Sequence, residues 1–161
     1  MWETEYKKKL IEPQELENRI RKIRSEKKTI VSLNGSFDLL HAGHLKIIYT
    51  ASTLADVLIV ALNTDSSIKE YKSKNRPIIP LEYRMQVMAA LEFVSYVTYF
   101  EDTTPIKILD IIKPDIHVNG SEYGKNCIEK EVVEKNGGKI FIVDLKPSLS
   151  TSNIITKIKS L

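Results

Sequence analysis

Five short apolar runs, separated by segments of helical pattern, constrain this chain more than any other feature. TIVSL (29–33), VLIVALN (57–63), YVTYF (96–100), DIHVN (115–119) and KIFIVD (139–144) are rich in β-branched and aromatic residues. That is the composition of strands buried on both faces. Between them lie HLKIIYTAST (44–53), a stretch from about Leu81 to Leu91, PIKILDII (105–112) and EKEVVEKN (129–136), and a last helix is expected from about Ser152. Repeated β–α alternation implies right-handed crossovers, hence a parallel sheet with helices on both sides. The expected fold is a single-domain, Rossmann-like, doubly wound five-stranded α/β/α sandwich over residues 29–161. Residues 1–28 are expected as an N-terminal helical extension. There Pro13 suits a first helical turn, and Leu16, Ile20 and Ile23 recur at helical spacing. That stripe needs the main domain or a partner subunit to cover it. The lysine-rich stretch after the second strand reads as a polar connection.

Composition narrows the class. At 161 residues, 42% hydrophobic and 28% charged, the chain is long enough for one real core. The single cysteine, Cys127, excludes an internal disulfide and fits a reducing compartment. The charged start, MWETEYKKKL, lacks a signal peptide's apolar stretch, and the run VLIVAL is far too short for a bilayer. A cytoplasmic protein with no membrane partner is expected. Residues 1–28 hold nine lysines and arginines against six acids. Without aromatic or glycine interleaving, that leader does not read as a nucleic-acid surface.

Doubly wound sheets bind ligands beyond the carboxyl ends of their strands. The segments at those positions are NGSFDLLHAGH, NTDSSIKEYKSKNRP, NGSEYGKN and DLKPSLSTSN. They gather glycine, hydroxyls, lysine, arginine and histidine, the composition of a phosphate site. In the first, a helix should start near Gly43, placing His41 before it and His44 in its first turn. The helix end favours an anion, and Gly35 and Gly43 allow close backbone approach. Zinc would need a third ligand that no Cys/His cluster supplies. A serine hydrolase would need a G-x-S-x-G elbow, and none is present. Phosphate-directed chemistry needs only rigid, convergent donors. His117, inside the fourth strand, reads as structural.

HAGH resembles the H-x-G-H signature of the nucleotidyltransferase superfamily, and GSFDLLHAGH resembles its cytidylyltransferase-like branch. STSNI (150–154) resembles the superfamily's Ser/Thr-rich turn before the last helix. ALNTDSSIK, NRPIIPLEYRM, HVNGSEY and NGGKI together resemble the bacterial D-glycero-β-D-manno-heptose 1-phosphate adenylyltransferases, which also form the C-terminal half of bifunctional ADP-heptose synthases. The likeness runs over roughly residues 12–159. Three departures stand out: Ser36 where the family usually has Cys, Asn119 where it has Lys, and Ser121-Glu122 where it has Gly-Asp.

The resemblance implies transfer of a nucleotidyl group from ATP or another NTP to a sugar 1-phosphate, with release of pyrophosphate. It implies catalytic roles for His41, His44 and Lys72, and nucleotide and phosphate contacts from Gly35, Ser36, Phe37, Asn119, Gly120, Ser150 and Thr151. It places Asp38, Asp65, Arg76 and Arg84 on the substrate side. It further implies Mg²⁺ delivered with the nucleotide, a homodimer, and a place in lipopolysaccharide or surface-glycan precursor synthesis. Alternatives left open are glycerol-3-phosphate cytidylyltransferase, FAD synthetase-like transfer, and a non-catalytic nucleotide-binding module.

Overall fold

The computed structural model describes residues 1–121, 124, 126–144 and 150–161. Five strands, β1 (Ile30–Gly35), β2 (Val57–Asn63), β3 (Tyr96–Phe100), β4 (Ile116–Gly120) and β5 (Lys139–Val143), form one sheet. All its pairings are parallel, in the order β3-β2-β1-β4-β5. The expected doubly wound sandwich is therefore the observed one. Strand order reverses between β1 and β4, and a crevice opens where their following loops diverge.

Eight helices accompany the strands among the described residues. They are α1 (Trp2–Glu5), α2 (Leu16–Ser25), α3 (Ala42–Ser52), α4 (Asp65–Tyr71), α5 (Leu81–Ala90), α6 (Ile106–Ile112), α7 (Lys130–Lys135) and α8 (Thr151–Lys159). Every residue of β2 is buried, because alternate side chains serve two cores. Leu58, Val60 and Leu62 meet Ile47, Ile48 and Ala51 of α3 and Met85 and Met88 of α5. Val57, Ile59 and Ala61 meet Ile108 and Ile112 of α6 on the other face.

The leader belongs to that second core. Leu16, Ile20 and Ile23 are buried against Ile30, Ile59, Phe100 and Ile112, so the domain itself covers the stripe. Pro13 starts a 3₁₀ turn, Pro13–Glu15, that runs into α2. Arg24 then anchors α2 to the sheet. Its Nη1 donates to Asp115 Oδ2 at 2.6 Å, and that oxygen also accepts from the Ile30 N–H. Leu10 bridges Val97 in parallel, and the Ile11 N–H donates to the Val97 carbonyl. The leader thereby covers part of the open β3 edge.

Two local results depart from the sequence reading. The polar connection after β2 contains α4, started by Thr64, whose hydroxyl accepts from the Ser67 N–H. β1 runs two residues past the expected TIVSL, through Asn34 and Gly35, which carries Asn34 to the crevice.

Candidate active site

The crevice holds a cavity of about 210 Å³. Its walls come from the ends of β1 and β4, the loop and first turn of α3, the segment after α4, and the start of α8. Of the residues expected at a site, Gly35, Ser36, Phe37, His41, His44, Lys72, Arg76, Asn119, Gly120, Ser150 and Thr151 all line it. Leu33, Asn34, Ile47 and Ser152 line it too and were not anticipated.

His41 is the N-cap of α3, and its Nδ1 accepts from the His44 N–H at 3.4 Å. An accepting Nδ1 carries no proton, so the ring's proton sits on Nε2. The two imidazoles stack with centroids 3.8 Å apart. Phe37 meets His44 edge-on at 5.3 Å, held there by a backbone at φ +44°, an uncommon conformation for a residue with a side chain. Gly35 makes room for that ring: a Cβ at Gly35 would lie 3.1 Å from Phe37 Cε2.

Burial pushes His44 down to about 4, with the nearby His41 and Lys72 adding to the effect. Burial also lowers His41. Lys72 is lowered by partial burial and by Arg76; its ammonium donates to Ser36 Oγ at 2.8 Å. The site is thus a crowd of cationic and would-be cationic groups. Six buried side-chain polar atoms lack a hydrogen-bond partner among the described residues, and four of them belong to the cavity wall: Asn34 Oδ1, His41 Nε2, His44 Nδ1 and Arg76 Nη2. Unpaired buried polar atoms are costly, and their convergence marks where a polar ligand completes the structure.

Asp38, Asp65 and Arg84, expected on the substrate side, do not line the cavity. Asp38 is buried beneath it and accepts from the Ile78 and Ile79 N–H groups and from Arg76 Nε at 2.7 Å. Burial pushes its carboxyl up, but these donors prevail and hold it below its ordinary value. Arg84 is only 2% exposed, not the surface residue that a helix position suggests. It donates to the Ile79, Ser36 and Asn63 carbonyls and to Asp65 Oδ1 at 2.7 Å. These three residues tie the 76–79 segment and α4 to the β1 loop. Glu122, one of the family departures, lies outside the described residues. His117 is fully buried and bonded through Nδ1 to Ser32 Oγ at 2.7 Å, on the strand residue that it faces in register.

No group of three or more His, Cys, Asp or Glu that could hold a metal occurs among the described residues. Among the described residues the cavity wall offers imidazoles, cations, amides and hydroxyls but no carboxylate, and Asp38 beneath it is already occupied by its donors. Such a donor set fits an ion carried on phosphate oxygens and water better than an all-protein cage. No helix among the described residues is long and apolar enough to cross a membrane.

A parallel sheet with an H-x-G-H loop and a Ser/Thr-opened last helix meeting at its switch point defines a nucleotidyltransferase. The cytidylyltransferase-like family model matches residues 32–159, and the chain belongs to that family. Among its relatives are three proteins called "Bifunctional protein HldE". The one from Hahella chejuensis is 44% identical over 84% of this chain and 29% of its own length. The one from Syntrophotalea carbinolica is 42% identical over 81% and 27%, and that from Salmonella arizonae is 41% identical over 91% and 31%. The chain spans less than a third of these relatives. A lipopolysaccharide core biosynthesis protein from Thermoplasma volcanium superposes with a TM-score of 0.61 at 25% identity, over 76% of this chain and 99% of that one. The pantoate-β-alanine ligase of Francisella tularensis shares the fold, with a TM-score of 0.59 at 16% identity, over 94% and 78%.

Proposed function

We propose that the cavity binds a nucleoside triphosphate, ATP first, and transfers its nucleotidyl group to a sugar 1-phosphate, heptose 1-phosphate first, releasing pyrophosphate. One observation carries this reading: the unpartnered polar atoms of His41, His44 and Arg76 converge where α3 and α8 both begin. Two helix N-termini and several cations in one crevice suit a polyanion. The sequence resemblance to heptose 1-phosphate adenylyltransferases and the relatives' names support the acceptor class.

In this reaction an oxygen of the sugar phosphate attacks the α-phosphorus in line. The bond from that phosphorus to the bridging oxygen breaks, and pyrophosphate leaves with the electron pair. The two reactants are both polyanions, so the residues serve to align them and to stabilise charge. His41 Nε2–H and His44 donate to the α-phosphate as negative charge builds on its oxygens. Lys72 exchanges its bond to Ser36 for the phosphate chain, and Arg76 turns its free Nη2 to the same charge. Ser150, Thr151 and the first turn of α8 hold the opposite side. A Mg²⁺ would be held by the nucleotide's own phosphate oxygens and water rather than by a protein cage, and would supply partial neutralisation of the phosphate charge.

The test is product identification by mass spectrometry. The protein is incubated with Mg²⁺, D-glycero-β-D-manno-heptose 1-phosphate and either ATP or CTP. ADP-heptose with stoichiometric pyrophosphate supports the proposal in full. A CDP-sugar alone moves the chain to a cytidylyl reaction, a reading that Asn119 in place of lysine keeps in view. Neither product, with this acceptor or with glycerol 3-phosphate, overturns it.

A further inference from the structure

Beneath the cavity lies a buried polar chain that the reaction above does not use. It has two bonded pairs, Ser32 with His117 and Asn119 with Glu129, just before α7. Asn119 and Glu129 are 4% and 5% exposed, and Asn119 Nδ2 donates to Glu129 Oε2 at 3.3 Å. Glu129 makes no salt bridge among the described residues. A buried carboxylate held by the Asn119 amide and the Cys127 thiol, with no cation paired to it, is a poor source of stability. It is a good means of orientation: an acceptor-only group beside Asn119 makes the amide present its NH₂ on that side and its carbonyl oxygen on the other. Asn119 also reaches the cavity wall, at the end of β4. Burial of His117 holds its ring neutral, while Glu129 and the Asn119 side chain pull the other way.

We propose that Glu129 is a positioning residue for nucleotide selection: it fixes the amide of Asn119 against the uncharged end of the nucleotide and so sets the preference between ATP and CTP. This rests on the nucleotide reading above. Adenine and cytosine place their amino groups and ring acceptors at different distances from the ribose. A rigid amide distinguishes them, whereas a rotating amide serves both.

The test is calorimetric binding of the Mg²⁺ complexes of α,β-methylene ATP and α,β-methylene CTP, which do not turn over. The wild-type protein should prefer one of them. Asn119→Asp sets two carboxylates against each other and should erode that preference by about tenfold, the size of one lost buried hydrogen bond. Adding Glu129→Gln should restore it, since the glutamine NH₂ then donates to Asp and the free oxygen of residue 119 keeps its place. Glu129→Gln alone should keep the preference, because its amide oxygen still accepts from Asn119. A wild-type protein that binds neither analogue overturns the nucleotide reading itself. Equal binding of both, or a preference untouched by Asn119→Asp or unrecovered in the double variant, overturns this inference alone. Thermal melts of each variant separate a lost preference from a lost fold.

Discussion

His44 is held neutral by the protein around it, at about 4. A polyphosphate placed beside it reverses that balance, because an adjacent anion favours imidazolium. Burial lowers His41 in the same direction, so an anion there acts on it likewise. Nucleotide binding should therefore take up protons, and affinity should fall as pH rises from about 4 through the ordinary imidazole range near 6.5 that a phosphate restores. Calorimetry in two buffers of different ionisation enthalpy measures the uptake directly; proton release on binding would contradict this electrostatic account. Gly138 makes a different demand. A Cβ there would run into the Pro114 carbonyl oxygen and Val133, so Gly138→Ala should lower stability by about 1–3 kcal/mol in urea unfolding, and no loss would mean the turn before β5 has room to shift. At this scale the sequence was informative where residue type alone carries chemistry, as in His41, His44 and Lys72. It was silent where burial decides. Nothing in the order of letters separates Arg76, with a free nitrogen in the cavity wall, from Arg84, enclosed by three carbonyls and Asp65.

The elements around the cavity are joined by buried ion pairs. Asp38 lies in the α3 loop, yet it accepts from Arg76 and from the backbone of the segment leading to α5. Arg84, on α5, reaches back to Ser36. The cationic segment after α4 is thus fixed from both ends. Asp38→Asn keeps the shape but replaces one acceptor oxygen with a donor that faces Arg76 or an N–H. We expect the KM for nucleotide to rise about tenfold or more, equivalent to one strong buried hydrogen bond, with faster proteolytic cleavage near residues 73–78. Unchanged kinetics and unchanged cleavage would show that the segment needs no such clasp. The strands were legible because two-sided burial writes itself as unbroken apolar runs. α4 was not, because of its seven residues only Ser67 and Ile68 are buried. Its start depends on the Thr64 hydroxyl, a local bond that apolar periodicity does not register.

For the whole molecule, the leader is structural material of the domain. Leu16 is fully buried, and Ile20 and Ile23 nearly so, against strands β1 and β2 and helix α6. Leu16→Ala should cost about 2–5 kcal/mol and lower the unfolding midpoint without changing the nucleotide preference; a mild effect would mean that the second core does not depend on α2. The periodicity of Leu16, Ile20 and Ile23 foretold one apolar face, but residues that cover it lie far along the chain, in Phe100, Ile108 and Ile112. Forty-eight positions separate Ser36 from Arg84, and such separations are why sequence spacing alone does not assemble the cavity. All of this meets at one place: two stacked histidines at the start of α3, each with one buried ring nitrogen left without a partner, at the point where the sheet reverses direction.

The measurement that tests this most directly is pyrophosphate release by the wild-type protein and by His44→Ala, with Mg²⁺, heptose 1-phosphate and saturating nucleotide, both proteins shown folded by circular dichroism. The account predicts turnover by the wild type and a fall in kcat of about 10²–10³ in the variant, the effect of removing one preorganised donor to a developing oxyanion. A folded His44→Ala protein with wild-type kcat would contradict it.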